Sequence, residues 1–169
     1  MRADQETQYR LRHATLDDEA SLRALIAGSI RALGARDYTP EQIEAALTGA
    51  FGVDTALIRD KTYFVVESHA GDIVGCGGWS RRRTLFGSDA RGDRDDSWLD
   101  PRQDFARIRA FFIDPAHARR GLGRMLLAHC EAEALRAGFS GFELMRRCRE
   151  GGPTKGAHSI ASPIDRLLV

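Results

Sequence analysis

The chain has 169 residues, 43% of them hydrophobic, which is the size of one ordinary domain with a buried core. Its 25 Lys and Arg nearly cancel its 24 Asp and Glu, so no whole-molecule field favours nucleic acid or an anionic membrane surface. Cys76, Cys130 and Cys148 have neither Cys-x-x-Cys nor paired zinc-ligand spacing, and their odd number argues against a disulfide framework. The opening MRADQETQYRLRH has no signal-peptide apolar stretch, and no run approaches the ~18 apolar residues of a membrane span. A soluble, cytoplasmic protein without a membrane or nucleic-acid partner is expected.

Tyr9 to His13 alternate apolar and polar residues, which predicts a short strand. Thr15 and Asp18 then form a helix-start signal for a helix to about Leu33, with Leu16, Ala20, Leu25 and Ile26 among its apolar positions and Gly34 as its stop. A second start has Thr39 as N-cap, Pro40 in the first helical position and Gln42 three residues after the cap, and that helix should end between Gly49 and Gly52. YFVVES (63–68) and DIVGCGGWS (72–80) are β-rich runs around the turn-like HAGD, so a hairpin is expected. Glycines 75, 77 and 78 would weaken a regular strand, and a bulge or a close backbone approach would explain them. Arg81 to Asp104 is a charged loop, in which DARGDRDD reads as a solvated turn and the arginines at 81–83 as a solvated strand end, or as charge that steers an acidic ligand. Ala106 to Asp114 is the next strand, Gly138 closes the helix that follows, and Gly141 to Leu144 begins one more. The order gives an α+β fold with a mixed sheet, because the strand–helix–strand unit at 107–145 requires a parallel crossover while the hairpin is antiparallel. One domain is expected over 1–169, with a core at about 9–145.

The loop before the long helix carries Arg119, Arg120, Gly121, Gly123 and Arg124. Taken alone, Gly-x-Gly can be an ordinary turn beside a solvated basic face. Here it follows an apolar strand and opens a helix whose Leu122, Met125, Leu126 and Cys130 follow helical spacing. A helix start offers unpaired N–H groups and partial positive charge, glycine permits close approach, and arginine adds bidentate donors. Phosphate is the guest that suits all three. A dinucleotide fingerprint would need glycine where Leu126 stands, and a Walker loop would need Gly-Lys-Ser/Thr, so neither applies.

FFIDPAHARRGLGRMLLAHCEAEALRAGF (111–139) resembles the acyl-CoA loop of the GNAT acetyltransferase superfamily, with Ile113, Pro115, Gly121 and Gly123 in matching places. The usual Gln or Arg three residues before Gly121 is replaced by Ala118, and Arg119 and Arg120 supply charge nearby. The resemblance runs in order over about 9–145. It implies a mostly antiparallel sheet flanked by helices, with acetyl-CoA as cosubstrate and no metal. The acceptor would be an amine of a small molecule or peptide, lying beside the first two helices and the 81–104 loop. By the same resemblance, the backbone of Phe111, Phe112 and Ile113 would pair with the pantetheine arm. The amides of Arg119, Arg120, Gly121, Leu122, Gly123 and Arg124 would hold the pyrophosphate.

Acyl transfer to an amine needs a base for the amine and a proton for the departing thiolate. Glu143 resembles a family glutamate that serves as base, and its alternative is a solvent-facing strand residue. Glu67 is a second candidate. The family commonly places a donor tyrosine after this strand, but the three tyrosines here are Tyr9, Tyr38 and Tyr63. The tail RRCREGGPTKGAHSIASPIDRLLV (146–169) reads as coil without the family's last helix and hairpin. One added base after the Met145 codon would give Met-Ala-Thr-Leu-Pro-Gly, the family-like continuation, so a frame-shifted ending is one expectation. Alternatives to an active enzyme are a catalytically impaired CoA-binding domain, or an interaction protein whose open sheet edges drive homodimer formation.

Overall fold

The computed structural model describes residues 8–49, 51–84, 89, 92 and 95–144, and the backbone of 158–160. These form an α+β fold around one mixed sheet, ordered β1 (Tyr9–His13), β2 (Tyr63–Ser68), β3 (Ile73–Ser80), β4 (Ala106–Ile113), β5 (Phe142–Leu144), β6 (His158–Ile160). All neighbours are antiparallel except β4 and β5, which are parallel as the intervening helix requires.

The helices are α1 (Glu19–Gly34), α2 (Pro40–Thr48), α3 (Thr55–Arg59) and α4 (Leu122–Arg136). The Thr15 signal starts a single 3-10 turn, Leu16–Asp18, before α1 begins. Leu16 and Ala20 are exposed, and the apolar stripe of α1 is Leu22, Leu25, Ile26 and Ile30. At α2 the capping box closes as expected: Gln42 N–H donates to Thr39 Oγ1 at 3.3 Å and Thr39 N–H to Gln42 Oε1 at 2.9 Å. Helix α3 was not expected. It has only five residues, and its one local sign is Asp54, whose carboxylate caps the Ala56 N–H. The tail was expected to be coil, yet 158–160 pair antiparallel with β5. The frame-shift reading and Cys148 fall on 145–157 and 161–169, outside the described residues.

Strand alternation sorts the core onto two faces. Phe64, Val66, Ala106 and Ile108 pack with Leu122, Leu126, Leu127 and Cys130 of α4. Tyr63, Val65 and Cys76 pack with Leu22, Ile26 and Ile30 of α1 and with Leu57 of α3. In β4 the alternation slips by one. Ala106 and Ile108 face α4, and so do Phe111 and Ile113, whereas Ala110 and Phe112 face α1. The register records the slip, because Cys76 pairs with Phe112 but Gly78 with Arg109. Ala110, with φ +56°, is the extra residue of a β-bulge. The glycines opposite provide the room: a Cβ at Gly77 would lie 2.7 Å from the Phe111 ring, and one at Gly78 2.7 Å from the Thr62 carbonyl oxygen.

Candidate functional site

β4 delivers the chain to the loop in three steps. Asp114 accepts the Ala116 N–H at 2.8 Å and starts a 3-10 turn at Pro115–His117. Arg119 (φ +61°) and Gly121 (φ +81°) then turn the backbone through left-handed conformations. Gly121 is the N-cap of α4, where only glycine adopts that conformation without Cβ strain. Leu122 and Gly123 open the helix, where N–H groups have no intrahelical carbonyl and the helix dipole is positive. The side chains of Arg119, Arg120 and Arg124 are exposed around this start. The local arrangement can receive an anion on backbone donors.

Tyr9 of β1 ties the loop to the sheet. Its hydroxyl lies 3.0 Å from His117 Nδ1 and accepts Arg120 Nη1 at 3.2 Å, with the two rings edge to face. No local pattern could reveal this, since its partners lie 108 and 111 residues further along the chain.

Phe111, Phe112 and Ile113 stand on the C-terminal half of β4. The β4–β5 pairing runs Ala106 with Phe142, Arg107 with Glu143 and Ile108 with Leu144. Among the described residues, Arg109 to Ile113 therefore pair with β3 alone. Beneath the bulge, Arg109 and Asp54 form an ion pair at 2.8 Å with side chains 2% and 1% exposed. Both residues escaped the sequence reading.

Glu143 is ion-paired with Arg107, its partner across the strands. Burial lowers the Arg107 pKa from its ordinary value. This pair sits near the start of β4, roughly 20 Å from Ile113 along the strand at about 3.3 Å per residue. Glu67 is not brought to β4. It lies on β2, beyond β3, where Arg12 Nε donates to it at 2.7 Å and Arg10 lies 3.4 Å away.

The arginines at 81–83 follow the end of β3, which pairs with the start of β4 through Ser80 and Arg107. They stand at the end of the sheet opposite the loop, so their charge cannot serve an anion bound there. Arg82 is taken up by Asp60 through two bonds of 2.7 Å and by the Trp98 ring, while Arg81 lies over Trp79 and Trp98. Cys76 and Cys130 are buried free thiols; burial pushes the Cys76 pKa up to about 12 and raises that of Cys130 also. Neither is poised as a nucleophile. No three His, Cys, Asp or Glu side chains among the described residues are grouped to hold a metal ion. No helix among them is long and apolar enough to cross a membrane.

The sequence pattern of the Acetyltransferase (GNAT) family matches residues 30–151, well over half of the chain. The chain belongs to the GNAT acetyltransferase family. Solved GNAT folds agree with this architecture. The PaiA N-acetyltransferase of Thermoplasma acidophilum, in complex with coenzyme A, superposes with a TM-score of 0.56 at 12% identity, covering 80% of this chain and 77% of that one. A GNAT family acetyltransferase of Brucella melitensis, in complex with acetyl-CoA, gives 0.53 at 19% identity over 85% and 79%. A GCN5-related N-acetyltransferase structure from Rhodopseudomonas palustris gives 0.54 at 20% identity over 82% and 73%. No curated protein sequence matches the chain. In this GNAT chain the matched region contains the bulged β4, the left-handed loop and all of α4.

Proposed function

We propose that this chain is an N-acetyltransferase that moves an acetyl group from acetyl-CoA to an amine of a small molecule or peptide by direct attack. The observation that carries the reading is the loop at 119–124. Two left-handed residues turn the chain into the start of a 15-residue helix, beside a strand half with no β5 partner among the described residues. That start suits a pyrophosphate, held by the amides of Arg119, Arg120, Gly121, Leu122, Gly123 and Arg124. The neighbouring backbone of Phe111, Phe112 and Ile113 suits the amide-bearing pantetheine arm, as a peptide suits a sheet edge. The two neighbours solved with coenzyme A and acetyl-CoA support the same donor.

In the reaction, the neutral amine nitrogen forms a bond to the thioester carbonyl carbon. The C–S bond breaks, the amine loses a proton, and coenzyme A departs as a thiolate that gains one. Glu143 is the carboxylate assigned to the amine proton, taken through a chain of waters because its pair with Arg107 stands about 13 Å from Phe111 along β4. The acceptor side is assigned to α1 and α2 together with the segment 81–104. The buried, unpaired thiols of Cys76 and Cys130 suit a reducing, cytoplasmic setting.

Calorimetric titration with coenzyme A should show saturable binding, and thiol release from acetyl-CoA against an amine panel should show turnover. Absence of saturable binding would overturn the reading; binding without turnover on the panel would favour a CoA-binding domain. Glu143→Gln should lower kcat about a hundredfold while leaving the affinity for acetyl-CoA unchanged, as expected for removal of a base.

A further inference from the structure

The β4 bulge is built on a buried tyrosine. Tyr63 is fully buried, and its ring lies over Gly78, where an added Cβ would come 2.8 Å from Tyr63 Cδ2. Crossing β3 in this way brings its hydroxyl to the bulge. The Tyr63 hydroxyl lies 3.3 Å from the Ala110 carbonyl oxygen and 3.2 Å from Cys76 Sγ, and Cys76 Sγ lies 3.7 Å from the same oxygen. The tyrosine proton can go to the carbonyl directly, or to sulfur while the thiol proton goes to the carbonyl. In both arrangements the Ala110 oxygen is the final acceptor.

That oxygen belongs to a residue in a conformation that an alanine adopts only at a cost of about 1–2 kcal/mol. A strained residue beside a site is held by its surroundings. Here the holders are Tyr63 and Cys76 on one side and the buried Arg109–Asp54 pair, one residue earlier, on the other. The peptide joining Ala110 to Phe111 is trans and planar, so its N–H is antiparallel to its C=O. Fixing the Ala110 carbonyl toward Tyr63 therefore aims the Phe111 N–H away from Tyr63.

We propose that Tyr63 is a positioning residue for the acyl group: through the Ala110 carbonyl it sets the direction of the Phe111 N–H, which donates to the thioester carbonyl of bound acetyl-CoA. This rests on the reading that the acyl-CoA arm lies along β4. A donor so fixed polarises the carbonyl without reorganising during the reaction.

Isotope-edited infrared spectroscopy of acetyl-CoA labelled with carbon-13 at the acetyl carbonyl reads that bond directly, and needs no knowledge of the acceptor. The wild type should lower the carbonyl stretching frequency relative to free acetyl-CoA. Tyr63→Phe keeps the ring over Gly78 and should lose at least about half of that shift, while affinity for coenzyme A changes by less than about threefold, as when one contact is lost away from the pyrophosphate. Cys76→Ala, which leaves the tyrosine proton to the Ala110 carbonyl alone, should keep the wild-type shift; this variant decides the matter if Tyr63→Phe does not fold. Bound acetyl-CoA with no shift in the wild type, an undiminished shift in folded Tyr63→Phe, or a lost shift in folded Cys76→Ala would each overturn the role of Tyr63 alone. A wild type that binds no coenzyme A would overturn the acyl-CoA reading and this inference with it.

Discussion

The two ends of β4 carry their chemistry in different parts of the chain. Past its C-terminal end, at Asp114–Arg124, the polar groups are backbone amides, proposed to hold an anion and placed by glycine, a left-handed arginine and a helix start. In its first half the groups are guanidinium side chains, Arg107 and Arg109, met by Glu143 from β5 and by Asp54 from the start of α3. A loop built on backbone should lose ligand binding when altered and leave the fold standing. Side-chain pairs buried in the sheet should do the reverse.

The largest effect is therefore expected at the buried pair. Asp54→Ala leaves Arg109 charged inside the core and should destabilise the protein by about 3–5 kcal/mol, read as a lower urea midpoint. Gly123→Leu sets a side chain at the second position of α4 and should weaken coenzyme A binding about a hundredfold, roughly 3 kcal/mol, with a smaller loss of stability than Asp54→Ala. If Gly123→Leu bound coenzyme A normally, the phosphate assignment would be wrong, and the contrast between the two ends would vanish.

The third effect is acid dependence at the sheet edge remote from β4. The Arg12 guanidinium holds the Asp18 carboxyl at about 2, through bonds of 2.7 and 2.8 Å. The folded pKa is depressed, so the stabilisation is present above the unfolded value near 4. It is lost as the pH falls from ~4 through about 2, and amounts to about 2 kcal/mol. Arg12→Met should remove this part of the acid sensitivity in unfolding titrations, without altering the affinity for coenzyme A. The smallest effect is expected at the tether. Tyr9→Phe removes the hydroxyl between His117 and Arg120 and should weaken coenzyme A binding about threefold, the value of one partly exposed hydrogen bond. A loss as large as that of Gly123→Leu would mean that side chains, not backbone, hold the loop.

The same contrast explains what could be read in the sequence. The loop was legible because its signals are local: Ile113, Pro115, Gly121 and Gly123 lie within one short stretch, and each has a conformational reason. The hairpin and α2 were legible likewise, from alternation and from Thr39, Pro40 and Gln42. Leu16 misled because it lies in the 3-10 turn at Leu16–Asp18, ahead of α1. Ala20 misled because, at about 100° per residue, it falls about 200° around the helix from Leu22. Glycines 77 and 78 announced a bulge or a close approach, but the residues that fill the space, Phe111 and Tyr63, come from other strands.

The sequence by itself determined the fold class, the family resemblance and the position of the loop, because local backbone preferences and hydrophobic periodicity are written in consecutive residues. Only the tertiary structure decided the partners of the charged and buried groups. Asp54 meets Arg109, Glu143 meets Arg107, Tyr63 reaches Ala110, and Tyr9 reaches His117 and Arg120. In each case the partners are far apart in the chain, and strand pairing or packing on a shared face brings them together. Nothing in the neighbouring sequence of any of these residues encodes the other, so the pairing is set by the sheet.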